Sequence, residues 1–214
     1  MAITNRKDLQ EAKERGRAAL YPDKIRIAVG SATCGKANGA DPVMLALINA
    51  VEREGLDADV VSTGCLGFCA MEPLVDVWRP GYPRLIYRKI TPSKAEKLVT
   101  ALAAGDSKIP WVLCRMESEE VIADGSAKPY DVSKGNGDLA GVPTYQELPF
   151  FKDQLKIALR DCGFISPVSL DEYIARGGFF GLYAALQEKS ADEVVDVVTK
   201  SGLRGRGGAG FLTG

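Results

Sequence analysis

The sequence predicts an α/β fold in three stretches: an α/β unit over residues 1–108, a connector over 109–149, and a mainly helical segment over 150–214 that stops truncated in a glycine-rich loop. Three observations lead there. Short apolar runs alternate with stretches of helical spacing through the first half. Glycine, proline and polar residues from Lys128-Pro129-Tyr130 to Gly141-Val142-Pro143 then interrupt that alternation. Finally, Ser190 and Glu193 form a capping box ahead of Val194, Val195, Val197 and Val198, so a helix runs into the terminal loop.

Taken in order, a polar helix covers Asn5 to Leu20 and an apolar strand covers Ile25 to Val29. A helix starts at Asp41-Pro42, places Val43, Leu47, Ile48 and Val51 on one face, and ends at Gly55. A short strand spans Ala58 to Val61, and a loop follows from Thr63 to Ala70. Two further strands, Leu74 to Trp78 and Arg84 to Tyr87, are joined by Pro80-Gly81, and a helix capped by Thr91-Pro92 stops at Gly105. The order βαββα points to a thioredoxin-like layer. Cys114 follows the apolar run Pro110-Trp111-Val112-Leu113 and is expected to be a buried, inert thiol. Tyr173, Phe179, Phe180 and Tyr183 are expected in core or interface, and the helices expected from Leu155 to Val198 are expected to carry exposed apolar surface for other subunits.

Composition excludes several classes. With 27 basic and 28 acidic residues among 214, the net charge is -1, and no basic footprint for nucleic acid is present. No apolar stretch approaches the roughly 18 to 20 residues that span a bilayer, and the first residues lack the apolar core of a secretory signal, so cytoplasmic residence without membrane insertion is expected. Histidine is absent, which removes imidazole as acid, base or ligand and leaves chemistry to a cofactor, a carboxylate, lysine or cysteine.

Two clusters carry candidate chemistry. Cys34 follows the first strand, and Cys65 and Cys69 bracket a loop in which Gly64 and Gly67 permit a tight turn. Thiols in two loops after strands are what a 2Fe-2S cluster requires, each iron normally taking two protein ligands. A cluster-free set of structural cysteines and a zinc site are the alternatives; a Cys65–Cys69 disulfide is disfavoured in a reducing cytosol. No Cys-x-x-Cys occurs, which disfavours a thiol oxidoreductase. The second cluster is the loop Leu203 to Gly214. Gly205, Gly207 and Gly210 spell G-x-G-x-x-G, but a helix precedes them where a dinucleotide fold needs a strand. Its amides, with Arg204 and Arg206, suit a phosphorylated ligand, whereas the bland reading is a flexible glycine tail after a helix capped by Gly202.

The ordered motifs Ile157 to Gly163, Asp171 to Phe179 and Ser201 to Phe211 resemble the NADH-oxidising FMN flavoprotein subunit of respiratory complex I and its relatives in NAD-linked hydrogenases and formate dehydrogenases. The resemblance implies that Gly205, Arg206, Gly207, Gly208, Ala209, Gly210, Phe211 and Gly214 contribute to an FMN and NAD(H) site, and that the chain stops inside it. A 4Fe-4S cluster is implied only for a missing C-terminal part. Leu212 stands where the family usually has proline, leaving the loop less constrained. Cys34 to Ala40, Thr63 to Cys69 and Glu72-Pro73-Leu74-Val75 resemble the thioredoxin-like 2Fe-2S ferredoxin domain often fused ahead of that flavoprotein. This implies Cys34, Cys65 and Cys69 as cluster ligands. The domain's further cysteine at the end of the first strand is missing, since Ala28, Val29, Gly30 and Ser31 occupy that stretch; Ser31, Thr33, Asp41 or Cys114 could supply a fourth ligand. Cys162, before a glycine turn, is expected to be structural. The resemblance implies an electron-transfer subunit working with iron-sulfur, hydrogenase or formate dehydrogenase partners; the alternative is a non-catalytic ferredoxin-like or docking subunit lacking a complete flavin site.

Overall fold

A computed structural model describes residues 3–106, 109–116, 120–123, 126–129 and 139–214. Part of the expected connector, residues 130–138, lies outside the described residues. The elements begin with α1 (Arg6–Leu20), β1 (Ile25–Gly30), α2 (Thr33–Ala37), α3 (Ala40–Glu54) and β2 (Ala58–Thr63). They continue with β3 (Val75–Trp78), β4 (Arg84–Tyr87), α4 (Pro92–Ala103), β5 (Val112–Met116) and the hairpin strands β6 (Glu120–Ala123) and β7 (Ser126–Pro129). Helices α5 (Leu170–Ala175), α6 (Phe180–Tyr183), which runs on into a π-turn, and α7 (Ala191–Ser201) complete the order.

The main sheet has the order β2-β1-β3-β4-β5. Strand β1 runs parallel to β2 and antiparallel to β3, and β4 is antiparallel to β3. The first four strands thus form the expected thioredoxin-like α/β layer. Alternation along each strand decides which side chains face which layer. Ile27, Val29, Val75, Val77, Leu85 and Tyr87 point to one face and build the main core with Val43 and Leu47 of α3 and Leu98 and Val99 of α4. The opposite face carries Arg26, Asp76, Arg84 and Ile86. It is not left to water: Ile86 packs with Phe151 and Phe164, Trp78 Nε1 donates to the Pro22 carbonyl at 3.1 Å, and Arg26 meets Glu172 of α5.

Caps set the ends that the sequence announces. Asn5 accepts the Asp8 amide ahead of α1, Thr91 accepts the Lys94 amide ahead of α4, and Gly55 closes α3 at φ 62°. Ser190 and Glu193 make the reciprocal capping box of α7, and Gly202 ends it at φ 66°. Helix α1 packs on α5 so closely that a Cβ on Gly16 would lie 1.9 Å from the Asp171 carbonyl oxygen. Arg15 reinforces that contact with a 2.8 Å ion pair to Asp171.

Three expectations are corrected. Val112–Met116, read as the start of a connector, is a strand that extends the sheet beside β4. Cys34 sits in a short helix, α2, rather than in a loop. Leu155, Ile157 and Leu159 are exposed as expected but belong to irregular chain and turns, helix starting again only at Leu170. Phe180 and Tyr183 pack against Leu9, Ala12 and Ile174, and Tyr173 meets Phe179 edge to face.

Candidate functional site

The structure brings Cys34, Cys65 and Cys69 together at one end of the sheet, where β1 and β2 terminate. Cys65 begins the turn after β2, with Gly67 at φ 99° reversing the chain. The Gly67 amide donates to Cys65 Sγ at 3.2 Å, a hydrogen bond of the kind that tunes a metal-bound sulfur. Cys65 Sγ and Cys69 Sγ are 4.0 Å apart, and the Cys34 thiol is near enough to Cys69 to perturb it. Cys34 is delivered by α2, whose Gly35 rests directly on the end of β1.

The later part of the chain clamps this loop from outside. Lys156 Nζ donates to the Leu66 carbonyl at 2.6 Å, Thr63 Oγ1 donates to the Ile165 carbonyl at 2.9 Å, and a Cβ on Gly163 would meet Leu66 Cα at 2.8 Å. Burial pushes the Lys156 ammonium below its usual range, while Cys162 and Cys65 pull the other way, which places Cys162 in the same neighbourhood. Glu72, not singled out as a site residue by its sequence, also belongs here: it is 5 % exposed and its Oε1 lies 3.9 Å from Cys65 Sγ. Its local signal is an acid three residues after Cys69 leading into an apolar strand.

Burial raises the Cys65 thiol above its ordinary value, and Cys69 and Glu72 add to that. The neighbouring Cys34 thiol is the largest cause raising Cys69. Burial likewise raises the Glu72 carboxyl. Among the described residues no group of three or more His, Cys, Asp or Glu side chains is set out to hold a single metal ion. Cys65 stands 4.0 Å from Cys69 and 3.9 Å from Glu72, with Cys34 extending the row beyond Cys69, a spread that suits a two-iron centre, in which ligands divide between two metals, better than tetrahedral zinc.

The other sequence candidates lie apart from this row. Cys114 is fully buried in an apolar cluster with Leu74, Ile86 and Phe151, and burial pushes its thiol up to about 12. Asp41 is exposed and faces Lys36 at 3.9 Å, Ser31 Oγ donates to the Val29 carbonyl at 3.1 Å, and Thr33 is exposed. Iodoacetamide labelling of the metal-free native protein, read by peptide mass spectrometry, is expected to modify exposed Cys69 and spare Cys114; equal labelling would refute the burial of Cys114.

Leu203 to Gly214 form a separate, exposed hairpin. Gly205 N donates to the Phe211 carbonyl at 2.8 Å and Thr213 N to the Leu203 carbonyl at 2.9 Å. Gly208 at φ 103° and Gly210 at φ 65° turn the tip. Among the described residues, the amides of Arg206 through Gly210 donate to no backbone carbonyl, leaving a row of free donors. Arg204 Nη1 is turned back on the Gly210 carbonyl at 3.1 Å, Phe211 is 79 % exposed, and Gly214 lies against Thr199 of α7.

No family model matches the chain. It is 62% identical over 63 residues to the NADP-reducing hydrogenase subunit HndC of Solidesulfovibrio fructosivorans, a stretch covering 29% of this chain and 13% of that one. Two of the F subunits of NADH-quinone oxidoreductase also match: that of Escherichia coli (strain K12) is 54% identical over 48 residues, and that of Aquifex aeolicus is 56% identical over 46 residues. Each of these two stretches covers 22% of this chain and 11% of the relative. The matched stretches thus span only a small part of these relatives. Among solved structures, the thioredoxin-like [2Fe-2S] ferredoxin from Aquifex aeolicus aligns with 44% of this chain and 93% of its own at 18% identity and a TM-score of 0.38. Over the shared stretch, this chain is a relative of the F subunits of NADH-quinone oxidoreductase and of hydrogenase subunit HndC.

Proposed function

We propose that this chain is an electron-transfer subunit of an NAD(H)-linked oxidoreductase complex, holding a 2Fe-2S cluster at Cys34, Cys65 and Cys69 and using Gly205 to Gly214 toward FMN and NAD(H). The convergence of three thiols from two separate sheet-end segments is the observation that carries this reading. When bound, flavin accepts hydride and releases single electrons, and an iron-sulfur centre takes them one at a time. The protein's contribution is position and electrostatics. The Gly67 amide and the Lys156 ammonium, fixed on the Leu66 carbonyl, set positive charge beside the thiolates. The free amides of the glycine hairpin would receive a phosphate, with Arg204 and Arg206 swinging off their own carbonyls to complete its charge. Cytoplasmic placement and redox partners such as hydrogenase or formate dehydrogenase subunits belong to the same reading, as does a 4Fe-4S cluster in a part not contained in this chain.

A second reading is a ferredoxin-like docking subunit without its own flavin, favoured by the hairpin's closure on itself through Arg204 and Gly205. Anaerobic purification with partners, followed by iron, sulfide and flavin content and a visible spectrum before and after NADH, separates them. Flavin that bleaches on NADH supports the first. Iron without flavin leaves the second, and neither iron nor flavin overturns both.

A further inference from the structure

We propose that Glu72 is the fourth protein ligand of the cluster, its carboxylate standing where strand β1 has no side chain to offer. The inference rests on the cluster reading above and supplies what that reading lacks, since three thiols leave a two-iron centre one protein ligand short.

The placement is specific. A Cβ built on Gly30, the last residue of β1, would come within 3.1 and 3.2 Å of the two Glu72 oxygens. The carboxylate therefore fills the space that a side chain at Gly30 would enter, beside α2 and its Cys34. A Cβ on Gly35 would likewise lie 3.5 Å from Glu72 Oε2. Oε2 is held by the Leu74 amide at 2.7 Å, which fixes the orientation, while among the described residues Oε1 has only the Cys65 thiol, at 3.9 Å. A carboxylate so buried carries a desolvation cost that one amide and one weak thiol donor offset poorly, and a bound cation offsets it directly. Replacement of cysteines by other ligands on one iron of a 2Fe-2S centre is chemically established in principle by histidine ligation.

The competing donors are less well placed. Ser31 is engaged with the Val29 carbonyl, Asp41 is exposed, and Cys114 lies in the apolar cluster. Cys162 shares the neighbourhood of Lys156 with Cys65 and is therefore the rival to test.

The test uses full-length protein enriched in 57Fe, with a C65A/C69A variant subtracted so that only iron at this site is read. Mössbauer spectra of the oxidised wild type are expected to show two unequal iron sites in equal amount, one with mixed oxygen and sulfur ligands. E72C is expected to keep the full iron content and make the two sites alike. E72Q is expected to lose half or more of this site's iron, and G30C combined with E72A to restore it. The unfolding midpoint of each variant checks that the fold is intact. Two equivalent sulfur-ligated irons in the wild type, or a C162S variant that abolishes the inequality while E72Q leaves it untouched, would overturn the assignment to Glu72 alone. No iron and sulfide difference between wild type and C65A/C69A would instead sink the cluster reading, and Glu72 with it.

Discussion

Replacing Glu172 with alanine is expected to destabilise the protein by about 3–5 kcal/mol, the range for removing one partner of a buried ion pair. Arg26 is 1 % exposed on the sheet face that α1, α5 and the later segment cover, and Glu172 is 5 % exposed. Glu172 Oε2 accepts from Arg26 Nη2 at 3.4 Å and from the Ser166 amide at 2.6 Å. Among the described residues Arg26 Nε and Nη1 have no hydrogen-bond partner, so loss of Glu172 strands a guanidinium that is already poorly satisfied. The complementary double variant, Arg26→Met with Glu172→Leu, removes both charges and is expected to lie within about 1 kcal/mol of wild type or above it. Denaturant titration of the two single variants and the double closes the cycle. If Glu172→Ala costs no more than about 0.5 kcal/mol, as surface substitutions do, the pair does not hold α5 to the sheet.

That same pair shows what a sequence reveals and what it hides. Strands β1, β3 and β4 and helices α3 and α4 are legible because their apolar residues follow one period and their ends carry caps, such as Thr91 and Gly55. Arg26, Asp76 and Arg84 alternate with those apolar residues and so resemble the wet face of a half-buried sheet. Arg26 is buried against Glu172, far later in the chain, while Arg84 pairs with Asp76 and lies over the Tyr21 and Trp78 rings, contacts that no local period records. Helix α2 is missed for a local reason, since Ala32 offers no side-chain cap and the helix has only five residues. Strand β5 follows Pro110 in a short apolar run that suits helix, strand or loop equally, and pairing with β4 decides it. Cys34, Cys65 and Cys69 stand out by residue type and by following β1 and β2, although Cys34 proves to sit in α2 and not in a loop. Glu72 gains its place only from the absence of side chains at Gly30 and Gly35, a negative shape that only the fold supplies.

If the thiols hold the proposed cluster, Gly35→Ala is expected to cost most of its iron, more than its single methyl group suggests. The added Cβ would lie 2.0 Å from the Gly30 carbonyl oxygen and 2.9 Å from its carbon, and both are backbone atoms of a strand end that cannot rotate away. Relief requires α2 to lift off β1, and α2 is the element that carries Cys34. Overpacking of this kind costs about 1–3 kcal/mol of stability, which a sheet with an extensive core can absorb. A metal site cannot absorb it, because ligands must stay within about 0.5 Å of their working positions. The expected result is therefore a split: a modest fall in the unfolding midpoint together with a several-fold fall in iron and sulfide per chain, approaching the level of Cys34→Ser. Gly55→Ala, at an open positive-φ helix end with nothing within 4 Å of its Cβ, provides the control, since it strains the backbone without moving a thiol. Equal iron content in Gly35→Ala and wild type would show that Cys34 does not need α2 seated on β1, and that the close approach at Gly35 serves packing alone.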